Sequence, residues 1–202
     1  MSASPEPKVS PEEYLAGERQ AESKHEYVNG EVYAMAGASR LHNLIVSNLV
    51  RELGTRLKGK RCEVYPSDMR LQVEETGLYT YPDVMVVCAR PRFPDGQRDT
   101  LLNPKVIIEV LSEATEANDR GWKWAHYRQL DSLVEYVMVA QDRHRVEHFV
   151  RQPDGTWVFR EYRSLEDSLR PPSLGCEVPL AEIYYLVEFG QEGRCDAPDS
   201  DL

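Results

Sequence analysis

The segment Lys105-Val-Ile-Ile-Glu-Val-Leu-Ser112 constrains the fold more than any other part of the chain. Its positions are almost all apolar, which is typical of a strand that is buried on both faces. A single carboxylate, that of Glu109, interrupts the apolar run. Burying an unpaired charge costs several kcal/mol. We therefore expect Glu109 to be protonated, paired with a cationic side chain or bound to a metal cation.

A second apolar segment, Tyr81-Pro-Asp-Val-Met-Val-Val87, has an acid at its start, Asp83. If the two segments are adjacent strands, the carboxylates of Asp83 and Glu109 meet, which is an arrangement that hard divalent cations such as Mg²⁺ favour. A second interpretation stays open. In it, Asp83 only caps the turn after Pro82, and Glu109 forms a salt bridge with a core arginine.

Residues 115–129 form a predicted helix on which Asp119, Lys123 and Tyr127 recur every four residues and share one face. Lys123 follows Glu109 closely enough to reach back to the end of that strand. A lysine beside a metal and a phosphodiester stabilises charge that develops on the phosphoryl group. The alternative is a solvated Asp119–Lys123 pair of little energetic consequence.

Capping and turn residues predict the first three elements of the chain, which are a short helix, a β-hairpin and a long helix. Ser10-Pro-Glu-Glu13 predicts a short helix to about residue 20, because it combines an N-cap, a proline at N1 and a glutamate at N3. Asn29-Gly30 predicts a β-hairpin over residues 25–35. Ser39 predicts the cap of a long helix with one apolar face. The residues of that face are Leu41, Leu44, Ile45, Leu49, Leu53 and Leu57.

The remaining pattern indicates an α/β or α+β fold, because helices alternate with mixed strand segments. The predicted strands cover residues 62–65, 69–73, 81–89, 105–111, 134–140, 145–151 and 156–162, the last three as an antiparallel meander, with a final short element near 178–187. We expect one domain over residues 10–189. Residues 1–9 read as a flexible N-terminal tail and residues 190–202 as an acidic C-terminal tail.

The charge and the apolar content of the chain restrict the classes of function that it can have. The 202 residues include 24 Lys and Arg against 34 Asp and Glu, a formal net charge of −10, which disfavours tight binding to polyanions. The charge is uneven, because residues 51–61 hold five bases and one acid, and residues 120–128 hold three bases. No apolar run approaches the roughly 20 residues of a transmembrane helix, and the start does not resemble a signal peptide. We expect a cytoplasmic protein without membrane contact.

The four cysteines are Cys62, Cys88, Cys176 and Cys195, and their spacing shows no zinc motif. In a reducing cytosol, we expect Cys62 and Cys88 to be small apolar core residues on strands. Cys176 and Cys195 lie near the C-terminus.

Several sequence motifs occur in an order that resembles the order found in one protein family. They are Pro82-Asp83, the run Glu109-Val-Leu-Ser112, the set Asp119, Lys123 and Tyr127, the hairpin His25-Glu-Tyr-Val-Asn-Gly-Glu31, and His42 at the head of the long helix. This order resembles the Uma2 family of predicted restriction endonucleases, within the PD-(D/E)XK nuclease-like superfamily. The resemblance spans about residues 11–189.

The resemblance implies a restriction-endonuclease-like core, a mixed central sheet flanked by helices with the meander as an extension. It implies that Asp83 and Glu109 bind Mg²⁺ or Mn²⁺ and that Lys123 is the catalytic lysine. One departure from the superfamily pattern is Leu111, which stands two residues after Glu109 where a lysine is common. Lys105 does not replace that lysine, because it lies about 13 Å from Glu109 along an extended strand.

Four more residues are candidate supporting groups. Glu26 is either an additional acid of the site or an exposed strand carboxylate. His42 is either a donor to the site or a structural hydrogen-bonding group. Asp119 and Tyr127 are expected to orient Lys123. Trp122 and Trp124 either offer stacking surfaces for bases or belong to the core.

These observations predict a metal-dependent endonuclease that hydrolyses phosphodiester bonds of nucleic acid, with DNA favoured and a homodimer expected. One alternative is a nuclease-fold module that binds nucleic acid or assembles without cleaving. Another is a metal-dependent phosphodiesterase that acts on small nucleotides.

Overall fold

The computed structural model describes residues 8–190. The predicted tails, residues 1–9 and 190–202, and with them Cys195, lie largely outside this range. The helices are α1 (Pro11–Glu18), α2 (Arg40–Arg56), α3 (Glu116–Asn118), α4 (Trp124–Tyr127) and α5 (Leu180–Ile183), with a π-helical turn at Asp119–Lys123 between α3 and α4. No helix in residues 8–190 is long and apolar enough to cross a membrane.

Thirteen short strands are present in the described range. They are β1 (His25–Val28), β2 (Glu31–Ala34), β3 (Glu63–Pro66), β4 (Arg70–Val73), β5 (Leu78–Thr80), β6 (Val84–Val87), β7 (Thr100–Leu101), β8 (Val106–Leu111), β9 (Glu135–Ala140), β10 (Val146–Arg151), β11 (Trp157–Tyr162), β12 (Ser168–Leu169) and β13 (Val178–Pro179).

The strands form two main sheets. A six-stranded sheet has the order β11-β10-β9-β8-β6-β3, and a five-stranded sheet has the order β2-β1-β5-β4-β7. In the larger sheet, β8 and β9 are parallel, whereas the other pairs are antiparallel. The strands β9, β10 and β11 are the predicted meander, and they extend the central sheet. The predicted mixed sheet with flanking helices is confirmed.

Local capping signals set the starts of α1 and α2. Ser10 and Glu13 form the predicted capping box, and Ser39 Oγ accepts a hydrogen bond from the backbone N–H of His42 at 3.1 Å. Each cap satisfies N–H groups that have no partner within the helix. The Ser39 cap also fixes the position of His42 in the first turn of α2.

The six-stranded sheet is covered by apolar residues on both faces. The apolar stripe of α2 packs on one face, where Ile45, Leu49 and Leu53 are fully buried against strand residues such as Val84 and Ile108. The opposite face carries a second cluster that includes Ile107, Leu111 and Tyr127. All six residues of β8 are buried, as its apolar sequence predicted.

The prediction of reduced core cysteines at positions 62 and 88 is wrong. Cys62 and Cys88 form a disulfide, and Cys176 is the free cysteine of the described residues. The physical reason is the strand register. Glu63 pairs with Val87 across β3 and β6, so the residues one step beyond this pair, Cys62 and Cys88, face each other.

Three short strands were not predicted, β5, β7 and β12, and each has only two or three residues. Such segments are too short to show an alternation of apolar and polar residues. The predicted helix at 115–129 is present in outline, but it is interrupted by the π-helical turn. Turns of this kind occur frequently at functional sites.

Candidate active site

Asp83 and Glu109 lie side by side at one end of β6 and β8. Val84 pairs with Ile108 in the antiparallel register, so the next residues, Asp83 and Glu109, are directly opposite. The N–H of Asp83 donates to Glu109 Oε2 at 3.1 Å, and the N–H of Val110 donates to Asp83 Oδ2 at 2.7 Å. The backbone of each strand therefore binds the carboxylate of the other.

Lys123 lies in the π-helical turn that follows β8, and its ammonium group is surrounded by carboxylates. Lys123 Nζ is 3.1 Å from Asp119 Oδ1 and 3.4 Å from both Glu26 Oε1 and Glu109 Oε1. The residue is only 6% exposed. One buried lysine thus neutralises part of the charge of three acids, each from a different element.

Tyr127 completes the contacts of Glu109. Its hydroxyl donates to Glu109 Oε1 at 2.7 Å, in a fully buried position. From the sequence, Tyr127 and Asp119 are both expected to orient Lys123. Asp119 does contact Lys123, whereas Tyr127 binds the carboxylate of Glu109 directly.

Glu26 enters the site from the hairpin β1–β2. It is buried, and Thr80 Oγ1 donates to its Oε1 at 2.5 Å. The alternative of an exposed strand carboxylate is therefore not what the structure shows. Thr80 was not predicted to contribute, because nothing in the chain order indicates that β5 pairs with β1.

His42 approaches Asp83 from the first turn of α2. Its Nε2 is 3.1 Å from Asp83 Oδ2, and its Nδ1 is buried without a hydrogen-bond partner among the described residues. Asp83 Oδ2 thus receives two contacts, from His42 and from the N–H of Val110. This arrangement holds the carboxylate in one orientation.

Burial and the neighbouring charges together set the pKa values of these groups. Burial raises the pKa of Glu109 to about 8, although the ammonium of Lys123 opposes the shift. Burial also raises the pKa of Asp119, again against Lys123. For Lys123 itself, burial acts to lower the pKa, but the carboxylates of Glu109, Asp119 and Glu26 outweigh it, so the pKa is raised. Lys123 is therefore a permanent cation near neutral pH.

These side chains open onto a cleft of about 1050 Å³. This volume is slightly above the usual range for ligand sites, roughly 300–1,000 Å³. Its walls come from the hairpin β1–β2, the segment 35–39, the start of α2, and the segment between β8 and α4. Among the described residues that line it, the acids are Glu26, Asp83, Glu109 and Asp119, and the cations are Lys24 and Lys123.

Of the two basic segments noted in the sequence, residues 120–128 contribute Lys123 to this cleft, whereas residues 51–61 contribute none of their bases. Two of the bases in residues 51–61 have structural roles: Arg56 pairs with Glu52, and Lys60 Nζ donates to Leu174 O at 2.7 Å. Arg120 is likewise paired, with Glu116 and Glu147. Lys105 Nζ donates to Ser173 O at 2.9 Å, away from Glu109.

The two neighbouring carboxylates, Asp83 and Glu109, offer hard oxygen donors of the kind that Mg²⁺ and Mn²⁺ bind. In residues 8–190, no group of three or more His, Cys, Asp or Glu side chains is arranged to hold a metal ion. Mg²⁺ is usually bound through one or two carboxylates, with water and substrate phosphates as the other ligands. Asp83 and Glu109 match that donor set, and their oxygens keep lone pairs beyond the hydrogen bonds described above.

The mixed central sheet and its flanking helices form a restriction-endonuclease-like fold. A crystal structure from Anabaena variabilis, described as "a putative nuclease belonging to DUF820", has a TM-score of 0.65 with this chain. The match covers 81% of this chain and 91% of that one, at 15% sequence identity, and shows a shared fold.

The chain belongs to the Uma2 family, whose model carries the description "Putative restriction endonuclease" and matches residues 11–181. Two Synechocystis proteins, each named only as an "Uncharacterized protein", are similar to it. One, sll1609, is 40% identical over 74% of this chain and 84% of its own length. The other, slr1290, is 36% identical over 93% of this chain and 97% of its own length.

Proposed function

We propose that this protein is a metal-dependent endonuclease that hydrolyses phosphodiester bonds of DNA with Mg²⁺ or Mn²⁺. One observation carries the proposal, the placement of Asp83 beside Glu109 with Lys123 Nζ 3.4 Å from Glu109 Oε1. Membership of a family described as restriction endonucleases supports it.

Asp83 and Glu109 are the residues that would hold the ion. A divalent cation bound there supplies a Lewis acid for the phosphoryl oxygen and a more acidic water. The backbone N–H groups of Asp83 and Val110 orient the two carboxylates before any ligand arrives. Preorganised ligands of this kind lose little conformational entropy on binding.

Lys123 acts in this proposal as an electrostatic group. Because its pKa is raised, it holds its proton near neutral pH and cannot serve as a general base. Its ammonium can donate to a non-bridging phosphate oxygen and stabilise the negative charge that grows there. Asp119 and Glu26 hold the ammonium beside Glu109 until the phosphate binds.

The test is cleavage of plasmid and single-stranded circular DNA by the purified full-length protein in Mg²⁺ or Mn²⁺. We expect Asp83→Asn, Glu109→Gln and Lys123→Met each to reduce the cleavage rate by about 100-fold or more, the scale seen when one charge-stabilising group is removed. The matched controls are Glu75→Gln and Lys58→Met, two exposed positions outside the cleft. Equal cleavage by all variants would show that the activity does not reside in this site.

A further inference from the structure

The hairpin β1–β2 presents an aromatic side chain beside the proposed catalytic acids. Tyr33 is the cross-strand partner of Glu26, so both side chains are on the same face of the hairpin. Both line the cleft, but Glu26 is buried whereas Tyr33 is 47% exposed. The Tyr33 hydroxyl donates to Glu31, two residues earlier on the same face. This leaves the ring held at the cleft with much of its surface free.

A second aromatic side chain comes from the opposite element. Trp122 directly precedes Lys123 in the π-helical turn, lines the cleft and is only partly buried. Its ring packs edge-on against His126, with 4.7 Å between the ring centroids. Glu26 Oε1 and Lys123 Nζ are 3.4 Å apart. The hairpin that carries Tyr33 and the π-helical turn that carries Trp122 therefore meet beside Lys123.

The rest of the cleft is poorly suited to duplex DNA. Affinity for a duplex comes largely from cations that contact phosphates on both strands. Among the described residues that line the cleft, two are cations and four are acids. Lys123 contacts three of the carboxylates, and Lys24 contacts Ser67 O at 2.9 Å and Asp68. Apolar side chains, among them Val28, Met35 and Val46, occupy much of the remaining wall.

From these contacts, and resting on the proposed nuclease function, we infer that the cleft takes unpaired nucleotides of single-stranded DNA, with bases stacked on Tyr33 and Trp122. Stacking on an aromatic ring accepts any base, because every base has a π-face, and it is worth about 1–3 kcal/mol per base. The bases of a duplex are already stacked and paired, so Tyr33 and Trp122 favour unpaired DNA over a duplex in this cleft.

The test measures binding separately from cleavage. A short fluorescent oligo-dT and a duplex of the same length are titrated with the full-length protein in Ca²⁺, and fluorescence anisotropy gives the dissociation constants. We expect the single strand to bind at least roughly tenfold more tightly than the duplex, with Tyr33→Ala and Trp122→Ala each weakening it by roughly tenfold. Tyr33→Phe keeps the ring and should bind like the wild type. Tyr185→Ala removes an aromatic residue that is 50% exposed outside the cleft, and it should have no effect.

Trp122 also contacts the core, so Trp122→Leu serves as a second variant that retains apolar volume without an aromatic face. Tighter binding of the duplex, or unchanged binding by both Tyr33→Ala and Trp122→Leu, would overturn the inference. Cleavage in Mn²⁺ is assayed in parallel. Duplex cleavage unaffected by Tyr33→Ala would overturn the inference and leave the nuclease proposal intact. Single-strand binding that depends on Tyr33 without any cleavage would support the inference and overturn the nuclease proposal.

Discussion

Asp83 lies directly opposite Glu109 across β6 and β8, and its N–H donates to Glu109 Oε2 at 3.1 Å. The reverse contact comes from the next residue, because the N–H of Val110 donates to Asp83 Oδ2. Both bonds join a backbone N–H to a side-chain carboxylate of the facing segment, just beyond the last paired residues of β6 and β8. The relative position of the two carboxylates is thus built into the central sheet.

Removing Lys123 should destabilise the metal-free protein. Lys123→Met leaves Glu26, Asp119 and Glu109 buried without their cation, and breaking a buried ion pair in this way costs about 3–5 kcal/mol. We expect a loss of about 3 kcal/mol in the free energy of unfolding, measured with urea in EDTA at neutral pH. Lys58→Met, an exposed change, should lose little. If both variants have the same stability, the buried cluster is not held together by Lys123.

The stability of the metal-free protein should fall with rising pH because of Glu109. Its folded-state pKa is raised from 4.5 to about 8, so its contribution is fully present below pH 4.5 and is lost as the pH rises towards 8. The glutamine of the Glu109→Gln variant does not titrate. The free energy of unfolding of this variant should therefore increase relative to that of the wild type as the pH rises from 4.5 to about 8. Urea unfolding at a series of pH values in EDTA measures the difference. A difference that stays constant with pH would contradict the raised pKa.

His42 should influence the affinity for the metal ion under the proposed function. Its Nε2 is 3.1 Å from Asp83 Oδ2, and the loss of a group that orients a metal ligand typically weakens binding by about 10–100-fold. We expect this loss for His42→Ala in Mn²⁺ titration calorimetry. Ser47→Ala, which removes an exposed hydroxyl on the same helix, is the control. Wild-type affinity in the His42 variant would mean that Asp83 needs no support from α2.

Reduction of the Cys62–Cys88 disulfide should lower stability without disturbing the cleft. The bond closes a loop with a sequence separation of 26 residues, for which loop-closure entropy predicts a stabilisation of about 3.5 kcal/mol. We expect thermal unfolding at a lower temperature with reductant, and the same lower temperature for the double variant Cys62→Ser, Cys88→Ser with or without it. If reductant also lowers the stability of the double variant, the effect does not come from this bond.

Local signals predicted most of the regular structure. The capping box at Ser10, the Asn29-Gly30 turn and the apolar stripe after Ser39 each depend on residues within a few positions of one another, and the structure has the elements that they predicted. The short strands β5, β7 and β12 carry no such local pattern. They exist because neighbouring strands satisfy their backbone groups.

Neither the disulfide nor the contacts of the basic residues could be predicted from local sequence, because both depend on residues that are far apart in the chain. Residue spacing alone did not show that Cys62 and Cys88 face each other across two strands. The sequence shows that residues 51–61 are rich in bases, but not that Arg56 binds the acid Glu52 and that Lys60 binds the carbonyl of Leu174. The expected homodimer stays a prediction.

The sequence by itself determined that Glu109, inside an apolar strand, needs a partner, and that Asp119, Lys123 and Tyr127 share a helix face. Only the tertiary structure decided which partners meet. It brings Glu26 from the hairpin, Asp83 from β6 and Lys123 from the π-helical turn around Glu109. It also places Tyr33 and Trp122 at the mouth of the same cleft. The reason is that periodicity within an element sets which face a residue occupies, whereas the pairing of sheets and helices sets what that face meets.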